Sequence, residues 1–151
     1  MDDLVSTGWL ACELDTADLV VVDASWHMPS ANRDARQEYE ERHIPGARFF
    51  DIDFLSDHDA GSPHMLPSAE HFRAGMEALG VGSEDRIVVY DQSALRTSAR
   101  AWFMLRHFGA ERVAILDGGL SKWVAEGRPL ESGEPAERRA LLRPLHPVPR
   151  G

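Results

Sequence analysis

One cysteine, Cys12, and one lysine, Lys122, occur in a chain of 151 residues. A lone cysteine cannot close an intramolecular disulfide, and it rules out zinc or iron–sulfur sites built on paired thiolates. With a single lysine, nearly all the positive charge sits on arginine, whose planar guanidinium suits carboxylates and small oxyanions. Positive charge is also scarce: 16 Lys and Arg face 25 Asp and Glu, a net charge of −9. That balance argues against nucleic acid, because the phosphate backbone is bound by clustered cations. Long hydrophobic runs are missing as well. The longest aliphatic stretch, residues 19–22, falls far short of the roughly 20 residues that cross a membrane. The start, Met1-Asp2-Asp3-Leu4-Val5-Ser6, carries acid where a signal peptide carries base, and no apolar segment follows. The chain therefore reads as soluble and cytoplasmic, with no membrane partner.

What is present suits one domain. At this length a compact fold buries roughly 70% of the surface of its unfolded chain, and 43% of the residues are hydrophobic. Ser6 is placed to cap a short helix that buries Leu10. Leu19-Val20-Val21-Val22-Asp23 is a continuous apolar run ending in aspartate, the pattern of a parallel strand covered on both faces. The spacing predicts a charged helix over 33–42, a turn at His43-Ile44-Pro45-Gly46 and a strand over 47–51. The long segment 53–67 lacks periodicity, and long loops in compact domains are commonly functional. Ser68 caps a helix with Phe72, Met76 and Leu79 on one face, ended by Gly80. A strand over 87–91, a helix over 98–108, a strand over 113–116 and a helix over 120–126 complete the alternation. Strands alternating with helices predict an α/β fold with a mainly parallel central sheet and helices on both faces. Five of the nine prolines fall between Pro129 and Pro149. That composition divides the chain into a domain over 1–133 and a Pro/Arg-rich linker or tail over 134–151.

In open α/β sheets ligands bind beyond the carboxyl ends of the strands. Asp23, Asp91 and Asp117 are expected there. Each carboxylate either caps the next turn through backbone N–H groups or joins its neighbours in a magnesium or phosphoryl-transfer site. Phe49-Phe50-Asp51-Ile52-Asp53 resembles the Asp-x-Asp start of haloacid-dehalogenase-type phosphatases, but Leu55 stands where those enzymes carry Thr or Val. The loop Asp91-Gln92-Ser93-Ala94-Leu95-Arg96-Thr97 joins a strong strand to a strong helix and forms an anion cradle from backbone N–H groups and the helix dipole. A nucleophile at its first position would have its transferred group stabilised. The occupant is Asp91, a poor sulfur carrier that repels anions. His64 lies between Pro63 and Pro67 with no packing face to serve, and is a candidate functional histidine. His43 reads as a hydrogen-bonder of its turn. Cys12 lies on the first helix beside Glu13, a setting that raises no thiolate, and reads as an incidental thiol.

Three motifs, His43-Ile44-Pro45-Gly46-Ala47, Val88-Val89-Tyr90-Asp91 and Leu116-Asp117-Gly118-Gly119-Leu120 followed by Trp123, together resemble the rhodanese superfamily. Val21-Val22-Asp23-Ala24-Ser25-Trp26, Phe49-Phe50-Asp51-Ile52-Asp53, His64-Met65-Leu66-Pro67 and Ser98-Ala99-Arg100-Ala101-Trp102-Phe103-Met104 extend the match. Over residues 4 to 133 the chain is similar to the N-terminal domain of tandem thiosulfate and 3-mercaptopyruvate sulfurtransferases.

The resemblance implies a rhodanese-like fold. It implies a partner, a second rhodanese domain that carries sulfur as a persulfide on its own cysteine, or else a homodimer, and a small anionic sulfur compound as substrate. It also implies that the cysteine-less loop of this half is inactive alone, and that no metal or cofactor is needed. His64 and Asp53 match a relay in which the carboxylate orients the imidazole toward a serine of the second domain. Arg96 and Arg100 are the expected receivers of a carboxylate or oxyanion. The alternative is a stand-alone anion-binding or regulatory module. One departure stands out: Ser93-Ala94-Leu95 replaces the glycine common in this loop.

Overall fold

The computed structural model describes residues 3–14, 16–27, 30, 32–51, 68–82, 84–92 and 97–133. Among these, five strands form one parallel sheet in the order β1-β5-β4-β2-β3: β1 Leu4–Val5, β2 Leu19–Asp23, β3 Arg48–Phe49, β4 Arg86–Tyr90 and β5 Arg112–Leu116. The helices are α1 Thr7–Glu13, α2 Ala35–Glu41, α3 Ala69–Leu79, α4 Ser98–His107 and α5 Gly119–Ala125. The α/β fold with a parallel sheet is the one expected.

The central strands are apolar on both faces because both are covered. Val20, Val22, Ile87, Val89 and Val113 pack with Phe72 and Met76 of α3 and with Ala101, Met104 and Leu105 of α4. The alternate residues Leu19, Val21, Val88, Tyr90 and Ala114 pack on the opposite face with Leu10 of α1, Tyr39 of α2 and Leu120 and Trp123 of α5. Period-2 alternation thus serves two cores instead of separating core from solvent.

Helix starts follow their caps. Ser6, Asp34 and Ser68 accept from the backbone N–H groups of Trp9, Gln37 and His71, so α2 begins two residues inside charged segment 33–42, after the Asp34 cap. Gly80 closes α3 at φ +77°. The strand expected over 47–51 has only two paired residues, because β3 is an edge strand meeting β2 at Val22↔Arg48 and Asp23↔Phe49. Strand β1 was not expected. It is two residues long, and backbone bonds hold it: Ile115 N–H to the Asp3 carbonyl and Asp117 N–H to the Val5 carbonyl, both 2.8 Å.

At the amino ends of the strands, Arg86 forks Asp18 (2.9 and 3.0 Å) and reaches Glu13 at the end of α1 (2.9 Å). The Arg86 hydrogen bond holds Asp18 below the ordinary aspartate range. Phe72 is fully buried and stacks on Phe108 with ring centroids 4.5 Å apart. Phe72→Ala is expected to lower stability by about 3–5 kcal/mol in chemical denaturation; a loss below about 1 kcal/mol would contradict its place in the core.

Candidate functional site

Parallel strands deliver their carboxyl ends to one edge of the sheet. Asp23 is the last residue of β2, while Asp91 and Asp117 directly follow β4 and β5. A cleft of about 590 Å³ opens there, lined in part by Asp91, Gln92, Ser98, Asp117, Gly119 and Arg33.

The Asp91 carboxylate accepts from Ser98 N–H at 2.7 Å, capping α4, whose own Thr97 makes no side-chain cap bond. The charge therefore sits on a helix N-terminal N–H that an anion would otherwise occupy. The Asp91 carbonyl takes the Leu120 N–H at 3.3 Å. Gly119 permits that approach: its φ is +61°, and a Cβ there would come within 2.8 Å of the Asp91 carbonyl oxygen.

Both ends of the cradle loop are tied to the turn after β2. Ser25 Oγ accepts from Gln92 N–H at 2.9 Å, and Thr97 Oγ1 donates to the Ala24 carbonyl at 2.5 Å. Ala24 N–H in turn bonds the Tyr90 carbonyl at 2.8 Å. The middle of the loop, Ser93, Ala94, Leu95 and Arg96, lies outside the described residues, as do Asp53 and His64.

Asp23 is fully buried. Its Oδ1 accepts from Ser25 N–H at 2.9 Å, and its Oδ2 has no hydrogen-bond partner. Burial pushes its pKa up to about 6; Ser25, and the Tyr90 hydroxyl nearby but beyond hydrogen-bond geometry, limit the rise, and the Asp91 charge adds to it. Burial, helped by the Asp23 charge, also pushes the Tyr90 phenol upward.

The capping reading of the strand-end aspartates therefore holds for Asp23 and Asp91, while Asp117 is exposed at the cleft. Among the described residues no group of three or more His, Cys, Asp or Glu is placed to hold a metal ion. Of the two readings of the strand-end aspartates, the observed bonds are those of capping: Asp23 and Asp91 are turned onto backbone N–H groups.

Arg100 is half-buried on α4; its Nε is buried without a partner, and it is not among the cleft-lining residues. Cys12 is exposed on α1. Its neighbour Glu13 bonds Arg86 at the start of β4, whereas Asp91 follows that strand's end, so the thiol lies at the opposite end of the sheet.

A family model for the rhodanese-like domain matches residues 6–126. The chain belongs to the rhodanese family. Over 93% of its length, this rhodanese domain is 48% identical to 3-mercaptopyruvate sulfurtransferase of Homo sapiens, covering 51% of that protein. It is 45% identical over 85% of its length to 3-mercaptopyruvate sulfurtransferase of Escherichia coli, covering 46% of it. Among solved structures it resembles the 3-mercaptopyruvate sulfotransferase SseA of Escherichia coli, with a TM-score of 0.89 and 40% identity, over 98% of this chain and 56% of that one. The chain thus spans about half the length of the curated relatives it matches.

Two site residues escaped the reading of the sequence. Arg33 lines the cleft and forks Glu38 through Nε (2.8 Å) and Nη2 (3.0 Å), while His27 Nε2 lies 2.9 Å from the same carboxylate. Burial raises Glu38, but the bonds from Arg33 and His27 outweigh it and hold the carboxyl below its ordinary value. Ser25, the tie of the cradle, is the other. Its sequence signal was its place directly beyond the end of a buried strand.

For the rhodanese domain, Asp23 gives a pH signature. Its folded pKa of about 6 lies above the ordinary 3.8, so between these values the folded state holds the proton more tightly than the unfolded chain. Its contribution to stability is full below about pH 4 and is lost as pH rises through 6. Asp23→Asn, which mimics the protonated acid, is expected to be about 2–3 kcal/mol more stable than the parent at pH 7 and equal to it near pH 4. Denaturant melts at both pH values check this; an equal difference at both would contradict it.

Proposed function

We propose that this chain is the N-terminal, non-catalytic half of a sulfurtransferase using 3-mercaptopyruvate or thiosulfate, with residues 1–133 as the rhodanese domain and 134–151 as linker. The observation that carries the reading is the Asp91 carboxylate at the head of the cradle, bonded to Ser98 N–H at 2.7 Å. A nucleophile at that point would face the α4 N-terminus; a capped carboxylate neither attacks sulfur nor leaves room for an anion. Relatives that carry the sulfurtransferase name are about twice as long, which supports a second domain that supplies the cysteine.

The chemistry assigned to that cysteine balances without a cofactor. Its thiolate attacks the outer sulfur of thiosulfate or the single sulfur of 3-mercaptopyruvate; a persulfide S–S bond forms as the donor's S–S or C–S bond breaks, and sulfite or the pyruvate enolate leaves, the latter taking a proton to give pyruvate. This half would contribute one wall of the shared cleft. Its described lining carries Asp91 and Asp117, and the one lining arginine, Arg33, is neutralised by Glu38. The cations for an anionic donor are therefore assigned to Arg96 and to the second domain; Arg100, expected in the same role, would have to swing from its half-buried place on α4 to reach the cleft. His64, oriented by Asp53, is assigned to polarise a serine of the second domain's cysteine loop.

A cyanide-dependent thiocyanate assay with both donors tests the reading. The chain alone is expected to give no turnover. Addition of a separately produced cysteine-bearing second domain is expected to restore it, and His64→Ala in this chain should then lower turnover with 3-mercaptopyruvate about 10²-fold. Turnover by the chain alone that persists in Cys12→Ser would overturn the proposal.

A further inference from the structure

After α5 the backbone does not leave the domain at once. Trp123 Nε1–H donates to the Pro129 carbonyl at 2.8 Å, and Glu131 pairs with His43 through two 2.8 Å backbone bonds in an antiparallel bridge. The Glu131 carboxylate takes the Gly46 N–H at 2.8 Å, and Gly133 N–H bonds the Glu40 carbonyl at 2.7 Å. Residues 129–133 thus form a strap laid across the turn between α2 and β3.

At the centre of this strap lies His43, fully buried and stacked on Tyr39 with ring centroids 4.4 Å apart. Its Nδ1 is 2.9 Å from the Ile44 carbonyl oxygen, and its Nε2 is 2.9 Å from the Gly133 carbonyl oxygen. Both partners can only accept. A neutral imidazole carries one N–H and one lone pair, so it can satisfy one carbonyl while its lone pair faces the other. Only the imidazolium donates to both.

We propose that His43 is a protonation-sensitive clasp on the strap. With both ring nitrogens protonated it ties residue 133 to the His43–Ala47 turn; loss of one proton releases the Gly133 carbonyl. That end lets go because the Nε2 bond is partly exposed and its carbonyl can turn to water, whereas the Nδ1 bond is buried. Tyr39 presents its ring face from α2. The carboxylates of the neighbouring elements are engaged elsewhere: Glu40 of α2 lies 3.7 Å from Arg36, and Glu131 of the strap accepts from Gly46 N–H. The Tyr90 hydroxyl of β4 accepts from Ile44 N–H at 3.4 Å. The strap is therefore held more firmly by the doubly protonated ring than by the neutral one. In the longer relatives the chain continues beyond this point, so the clasp would set how firmly the exit from the domain is held.

The test is nitrogen-15 NMR of the His43 ring combined with amide hydrogen exchange, corrected for the intrinsic rate, across pH 5 to 8. As His43 loses its proton, protection at the Gly133 and Glu131 amides is expected to fall about tenfold or more while Val88 and Val89 keep theirs. In His43→Gln, whose amide does not titrate, the strap amides should exchange at one corrected rate throughout. Strap protection that is constant through the His43 titration, or a His43 ring that does not titrate in this range, overturns the proposal.

Discussion

The pairing of β2 with β4 is the constraint on which the rest depends. Five residues of each strand lie in register, from Leu19↔Arg86 to Asp23↔Tyr90, and both strands are buried on both faces. Their side chains have no freedom to slip, since a one-residue shift would exchange the two cores. Fixing that register brings the turn after β2 beside the loop after β4. Ser25 and Ala24 can then hold Gln92 and Thr97, the two ends of the cradle. The site is therefore an extension of the sheet's hydrogen bonding past its last apolar residue.

That extension has an electrostatic cost at Asp23. A carboxylate with one bonded oxygen and one without a partner, fully buried beside Tyr90 and Asp91, is held against its own desolvation. In exchange its bond to Ser25 N–H shapes the turn that ties the cradle. Asp91 has a gentler arrangement, its charge answered by the α4 N-terminus. Two aspartates at neighbouring strand ends thus bond backbone N–H groups of the turns that follow them.

Much of this was legible in the sequence wherever one residue type answers to one local requirement. Strands β2 and β4 were legible because a doubly covered strand must be a continuous apolar run. Helices α3 and α4 were legible from Phe72 and Met76 and from Leu105 and Phe108 at helical spacing. The motif around Asp91 marked the head of the cradle. What escaped depends on partners distant in sequence. Strand β1 is two residues, one of them exposed, and backbone bonds to β5 define it. Arg33 reaches the cleft because Glu38 and His27 hold it, a geometry that a charged segment does not advertise. Residues 129–133 were placed inside the domain, but that they dock through backbone groups on the turn at His43 is a contact that composition cannot register.

In the function proposed above, this domain shapes the cleft while the sulfur is carried on a second domain. Intact-mass spectrometry after incubation with 3-mercaptopyruvate or thiosulfate, with the second domain present, decides the matter. The mass gain of one sulfur atom is expected on the second domain alone, with this chain keeping its mass. A sulfur atom gained by this chain at Cys12 and then surrendered to cyanide would contradict it.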